Sequence, residues 1–198
     1  MLAAPLRIAT ARLSLRPPTR ADVAAIFTYA GDPAATRFMS WPRHAGLDDT
    51  ARFVEFALAH WERHGIGVYL IELAGTVIGS TGLDVQGHGD ATTGYILARH
   101  AWGCGYATEA CRAMIRLGRT LGHARIEAHC YVGHAASARV LEKSGMRFEA
   151  ILERRIVFPN LYEAPQDVRC YAWMRPPSSK GISDGTVSSD KNIDEGLP

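Results

Sequence analysis

"HAWGCGYATEACRAM", His100 to Met114, is the stretch on which the reading of the whole chain turns. Gly103 and Gly105 stand one residue apart, behind a Trp and ahead of an Ala-rich run of helical spacing, so the backbone is bare where a helix begins. The first N–H groups of a helix have no partner inside it, and the helix dipole favours negative charge at that end. Glycines there remove the Cβ atoms that would hold phosphate oxygens away, and they admit left-handed dihedrals. The stretch is therefore a candidate diphosphate cradle. A tight strand-to-helix turn with no ligand uses the same two glycines.

Directly upstream, "TTGYILA" (Thr92 to Ala98) has strand character, and before it "GVYLIEL" and "TVIGSTGL" flank Ala74 and Gly75 as a β-hairpin. Further back, the run from Asp48 to His64 predicts a helix with Phe53, Phe56, Ala57, His60 and Trp61 near one stripe, stopped by Gly65. Thr19 and Asp22 open an earlier helix through Val23, Ile26 and Phe27, and "ARLSLRP" alternates as the first strand. Downstream, Tyr106 to Leu121 is helical, "RIEAHCYV" is strand-like, and Ala135 to Lys143 is helical again. Two strands follow around Phe148 to Ile156 and Val168 to Met174.

Consecutive strands early in the chain argue for a mixed α and β (α+β) fold: a mostly antiparallel twisted sheet of six to seven strands with helices on both faces. Residues 1–175 read as one domain, and residues 176–198, rich in Ser, Gly, Asp and Pro, as a disordered tail. A dinucleotide-binding unit is a rival reading. It would want a third glycine where Thr108 stands and an acid near Glu127, and the hairpin before the loop is wrong for it.

The net charge of +2, from 22 basic and 20 acidic residues, creates no global field that would draw nucleic acid or an anionic membrane. Four cysteines without a CxxC pair, no secretory signal and no membrane-spanning run fit a reducing cytoplasm. "HWERH" (His60 to His64) places two imidazoles on one helix face, but Trp61 stands where a zinc protease needs Glu, and no metal site is expected. Arg112, Arg116 and Arg119 read as a solvated helix face.

Taken together, "ARLSLRP", "VIGSTGL", "TGYIL", "WGCGYATEA" and "HAASARVLEKSGMRFEA" resemble, in order, the segments of the GNAT superfamily of N-acetyltransferases. The likeness is to its ribosomal-protein (RimJ/RimL-like) branch and covers about Thr10 to Arg175. It implies a sheet splayed between the strands at Gly94 to Ala98 and Arg125 to Tyr131. It further implies acetyl-CoA as co-substrate, its arm paired with the backbone of Ile96, Leu97 and Ala98 and its pyrophosphate on the amides of Gly103, Cys104, Gly105, Tyr106, Ala107 and Thr108. The implied reaction is direct attack of a primary amine on the thioester in a ternary complex, the amine belonging to a small molecule or a protein N-terminus.

Where the superfamily commonly has Asn and Tyr, this chain has His134 and Leu141, and Ser137 stands where the branch places a Ser against the sulfur. Arg139 and Lys143 are candidates for the 3′-phosphate. Thr92 and Thr93 occupy the place of a frequent glutamate base, which leaves Glu72, Glu149, Glu163, Asp167, His134 or an ordered water as general base. Phe38 and Trp41 in the Pro33 to Ala45 segment, with Phe158 and Tyr162 in "VFPNLYEAPQD", suggest an aromatic-lined acceptor slot. A silent acyl-CoA-binding module is the alternative, and a homodimer is compatible with either.

Overall fold

A computed structural model describes residues 4–85 and 89–176. The elements in chain order are β1 (Ile8–Ala9), β2 (Leu13–Arg16), α1 (Val23–Ala30), α2 (Leu47–His64), β3 (Val68–Leu73), β4 (Thr76–Val85) and β5 (Ala91–Leu97). They continue with α3 (Tyr106–Thr120), β6 (Arg125–Tyr131), α4 (Ala135–Lys143), β7 (Arg147–Ile156) and β8 (Gln166–Met174). All eight strands form one sheet in the order β1-β2-β3-β4-β5-β6-β8-β7, antiparallel throughout except for β5 beside β6. The mixed, mostly antiparallel architecture is as expected, and the strand beyond the six to seven is β1, whose two residues are too few to show alternation. Most of the tail expected from residue 176 onward lies outside the described residues.

Helices cover both faces. On one, Ile26 and Tyr29 of α1 and Val54 of α2 pack over Leu70 and Ile96. On the other, Ala110, Met114 and Leu117 of α3 and Ala138 and Leu141 of α4 pack over Leu15, Ile71, Leu83, Leu97, Ile126 and Tyr171. The buried stripe of α2 is Thr50, Val54, Ala57 and Trp61, while Phe56 is 65% exposed, so the expected stripe holds at Ala57 and Trp61 and is corrected at Phe56.

The hairpin between β3 and β4 turns at Ala74 and Gly75, both left-handed (φ 48° and 82°), which matches the twist of the strands it joins. In β4, Gly79 lies so close to β5 that a Cβ there would come within 2.2 Å of the Ile96 carbonyl oxygen. Asp22, just before α1, accepts the Thr19 N–H and hydroxyl at 2.7 Å each and is gripped by both terminal nitrogens of Arg16 at 2.8 Å. Arg16 also reaches Glu72 at 2.8 Å, which ties α1 to β2 and β3. The Arg16 bonds, with those of Thr19, outweigh burial and hold the Asp22 carboxyl down at about 2.

Candidate active site

The sheet opens in its middle. β5 and β6 pair only at their start, Ala91 opposite Ile126 and Thr92 opposite Glu127. Beyond that point they part, yet β5 stays paired with β4 as far as Leu97 and β6 with β8 as far as Tyr131. Each strand therefore turns one unpaired edge to a gap, and bare edges are templates for extended amides.

Which groups face that gap follows from the ladder. Ala98 donates its N–H to the Ile78 carbonyl at 2.8 Å. Alternation then turns the backbone groups of Gly94, Ile96 and Ala98 toward β4, and those of Tyr95 and Leu97 toward the gap. The Leu97 carbonyl accepts the Trp102 indole N–H at 2.8 Å. This corrects the expectation for Ile96 and Ala98: the edge consists of the Tyr95 N–H and C=O and the Leu97 N–H.

The glycine loop lies at the end of β5. Gly103 and Gly105 are both left-handed (φ 75° and 80°), and a Cβ built on Gly103 would meet no atom within 4 Å. The first bond into α3 runs from the Glu109 N–H to the Gly105 carbonyl at 3.1 Å. Among the described residues, the amides from Gly103 through Thr108 find no acceptor, and Gly103, Cys104 and Gly105 are exposed. Several free donors at the N-terminus of a fifteen-residue helix make a site for an anion with several oxygens, which is what a diphosphate is. The gap beside it suits an extended amide-bearing arm, so the donor set fits coenzyme A.

Arg12, a residue the sequence reading passed over, braces this loop. Its Nε bonds Glu109 at 2.7 Å, a terminal nitrogen bonds the Cys104 carbonyl at 3.0 Å, and its guanidinium lies over the Tyr106 ring at 4.5 Å. Glu109 also accepts the Thr10 hydroxyl at 2.6 Å and the Arg12 N–H at 2.8 Å. Burial would raise the Glu109 carboxyl, but these bonds outweigh it and hold it below its ordinary value. Arg139 and Lys143 lie exposed along α4 with no carboxylate partner among the described residues.

Ser137, in the first turn of α4, is within 3.1 Å of the Tyr95 hydroxyl. Burial keeps that phenol protonated well above its ordinary range. Leu141 leaves α4 without a tyrosine, and the structure supplies one from β5 instead. Its one sequence signal was the alternation Thr93, Tyr95, Leu97, which sends Tyr95 to the α3–α4 face.

A cavity of about 490 Å³ occupies the gap, and Tyr95, Ser137, Cys130, His129, His134 and Phe38 are among its walls. A second, of about 550 Å³, lies beside it between the sheet and the α1–α2 layer, walled by Ile26, Met39, Trp41, Phe53 and Ile96. Gly94 borders both, and a Cβ there would meet no protein atom within 4 Å. The expected aromatic slot is distributed: Phe38 stacks on His134 at 4.3 Å, Phe158 packs on Tyr131 at 5.5 Å, and Tyr162 meets Tyr131 hydroxyl to hydroxyl at 3.0 Å. Asn160 fastens this loop to the other by donating to the Thr36 and Trp41 carbonyls at 2.8 and 3.0 Å.

Of the five base candidates read from the sequence, His134 alone is among the walls of either cavity. Glu72 is tied to Arg16, Glu149 to Arg125 at 2.6 Å, and Asp167 to the Arg154 N–H at 2.8 Å, while Glu163 is exposed. The structure adds His129, which the sequence reading passed over. Glu127, His129 and Cys170 place their ligand atoms within 4.8 Å of one another, the one such group of three or more among the described residues. The His60 and His64 rings lie 4.5 Å apart, tilted by 39°, without a third ligand in that set. Burial lowers the His129 and His134 imidazoles below the ordinary histidine range.

No helix among the described residues is long and apolar enough to cross a membrane, and all four cysteines are free thiols. Residues 12–147 match the model of the acetyltransferase (GNAT) domain. The chain is 30% identical over 173 residues to the uncharacterized N-acetyltransferase YoaA of Bacillus subtilis (strain 168), covering 84% of this chain and 96% of that one. A GNAT-family acetyltransferase of Bacillus anthracis superposes with a TM-score of 0.73 at 25% identity, covering 85% of this chain and 98% of that one. The ribosomal L7/L12 α-N-protein acetyltransferase RimL, solved in complex with coenzyme A, superposes with a TM-score of 0.74 at 20% identity over 87% and 98% of the two chains. The open sheet, the bare loop and these likenesses agree: this chain belongs to the GNAT acetyltransferase family and is an acyl-CoA-dependent acyltransferase.

Proposed function

We propose that this protein transfers an acetyl group from acetyl-CoA to a primary amine in a ternary complex, with residues 1–175 acting as one catalytic unit in the cytoplasm. The observation that carries this reading is the coincidence of a sheet gap with a run of unpartnered amides at the start of α3. The amides of Gly103 through Thr108 hold the diphosphate, the Tyr95 and Leu97 edge pairs with the arm, and Arg139 and Lys143 neutralise the 3′-phosphate. Bound there, the co-substrate supplies a thioester carbonyl open to attack. Ser137 faces the sulfur and, backed by the Tyr95 hydroxyl 3.1 Å away, donates a hydrogen bond to the departing thiolate. His134 lines the same cavity, stacked on Phe38.

The amine enters from the α1–α2 side, where the second cavity adjoins the gap at Gly94. RimL is named as acting on the α-amine of ribosomal L7/L12. Here the acceptor is a protein N-terminus or a small amine whose body fits the apolar cavity. A free-thiol assay with acetyl-CoA against a panel of N-terminal peptides and small amines tests this. Amine-dependent thiol release with a matching gain of one acetyl group by mass spectrometry is the expected result. Tight coenzyme A binding without release from any amine would mark a silent binding module instead.

A further inference from the structure

We infer that His129, with the Glu127 carboxylate beside it, is the general base that takes the proton from the acceptor amine. The inference rests on the transferase reading above and supplies the group that the sequence left unassigned. β6 points Ile126, Ala128 and Cys130 into the core beneath α3 and α4, so Glu127 and His129 lie on the opposite face, the side of α1 and α2. Extending the parallel register from Thr92 and Glu127 sets His129 level with Gly94 across the gap. Gly94 borders both cavities, and His129 is itself a wall of the gap cavity that holds Ser137 and Tyr95. Ser137 belongs to the helix layer on the other face. The histidine and the hydroxyl thus flank the gap from opposite faces, as attack and departure require of base and acid.

The charge environment suits a base. The His129 ring nitrogen lies 3.7 Å from a Glu127 oxygen, and its side chain is 20% exposed. Besides Glu127, the charged groups acting on it are Arg125 and Arg155, and Cys170 is its cross-strand partner on β8. Asp84, His60 and His134 share the cavity. Burial keeps the ring neutral near pH 7, while Glu127 favours the imidazolium once a proton arrives. The same trio is a poor metal site, because Arg125 already holds Glu127 at 2.6 Å and burial keeps the Cys170 thiol protonated.

In the step itself, the amine nitrogen forms the C–N bond to the thioester carbon. One N–H proton passes to the His129 ring nitrogen, and the C–S electron pair leaves on sulfur. The sulfur gains one proton through the Ser137 hydroxyl, which takes a replacement from solvent, while His129 releases its proton to solvent, so a neutral amine and the thioester give an amide and a thiol with no net proton change.

The test compares wild type with His129→Gln, Glu127→Gln, His134→Asn and Asp84→Asn, using acetyl-CoA and the best amine from the panel. Calorimetry with coenzyme A checks that each variant is folded. His129→Gln is expected to lower kcat/KM by about 10²-fold or more with coenzyme A affinity retained. The ascending limb of the wild-type pH profile is expected below the ordinary histidine value. It should move to lower pH in Glu127→Gln and stay in place in His134→Asn. Side-chain NMR of the His129 imidazole should report the same shift without any acceptor.

Unaltered turnover in His129→Gln would overturn the assignment while leaving the transferase reading intact. So would loss of the limb in His134→Asn or Asp84→Asn, or one zinc per chain that disappears in His129→Gln. Absence of turnover in the wild type with every amine would bring down both.

Discussion

Arg12→Gln should separate the binding of the diphosphate from the binding of the rest of coenzyme A. In the folded chain the Arg12 guanidinium bonds Glu109 at 2.7 Å and the Cys104 carbonyl at 3.0 Å, on the rim of the glycine loop. Its side chain is 47% exposed, so the ion pair contributes only about 0.5 kcal/mol to stability after solvent screening. The bond to the carbonyl adds about 1 kcal/mol. The variant should therefore lose about 1.5 kcal/mol, or roughly 3–6 °C in Tm for a chain of this size. Binding should suffer more specifically. The change removes a cation beside the amides and leaves the Glu109 carboxylate uncompensated in the first turn of α3. Two such charge changes at about 1 kcal/mol each amount to roughly 30-fold in Kd for coenzyme A. Calorimetry with coenzyme A and with pantetheine, at low and high salt, measures this. Coenzyme A should weaken in a salt-dependent way, pantetheine should not, and Arg12→Gln/Glu109→Gln should recover part of the loss. Equal weakening of both ligands, insensitive to salt, would refute the reasoning and leave Arg12 a purely structural brace.

Three further outcomes are expected. Gly79→Ala should cost about 3 kcal/mol and abolish coenzyme A binding, because its Cβ would sit 2.2 Å from the Ile96 carbonyl oxygen and must push β4 from β5; a Tm within 2 °C of wild type, a margin of under about 1 kcal/mol, contradicts this. Arg139→Ala/Lys143→Ala should weaken coenzyme A about tenfold and leave dephospho-coenzyme A unchanged, and equal losses would remove both residues from the 3′-phosphate. Stability should fall with acidity in two windows. His44, His129 and His134 have folded values depressed by burial, so the unfolded chain takes up protons first as pH drops below the ordinary histidine value. Asp22 is depressed to about 2, so its contribution is present above the ordinary carboxylate value and is lost as pH falls toward 2. Calorimetric scans should show both, Asp22→Asn should shrink the lower one, to which Glu109 also contributes, and a Tm constant from pH 7 to 5 would contradict the upper one.

What the sequence revealed follows the range of the physics involved. Hairpin turn, helix stops and the glycine loop are local, set by residues such as Gly75, Gly65 and Gly105 whose left-handed dihedrals are their own signature. The α2 stripe was harder, since Phe56 is as apolar as its neighbours but faces away from the sheet, while Thr50 is buried because it bonds His44 at 2.9 Å and hides its hydroxyl. Functional residues contributed by strands were the least legible. Arg12 meets Glu109 across 97 positions, and Tyr95 meets Ser137 across 42, separations that no local pattern encodes. Glu127 and His129 did leave a trace, two polar side chains alternating with buried Ile126, Ala128 and Cys130, which says that one face of β6 meets something other than the core. That the something is a gap depends on where β5 and β6 part, a property of two strands whose paired residues, such as Thr92 and Glu127, are far apart in the chain.

The most direct measurement is backbone amide NMR of the full chain during titration with coenzyme A. The account requires the N–H resonances of Gly103, Cys104, Gly105, Tyr106, Ala107 and Thr108 to move downfield and to gain protection from exchange at saturation, with Tyr95 and Leu97 following. Saturation of binding with those amides unmoved and still exchanging freely would show that the ligand lies elsewhere, and the proposed catalytic arrangement would fall with it.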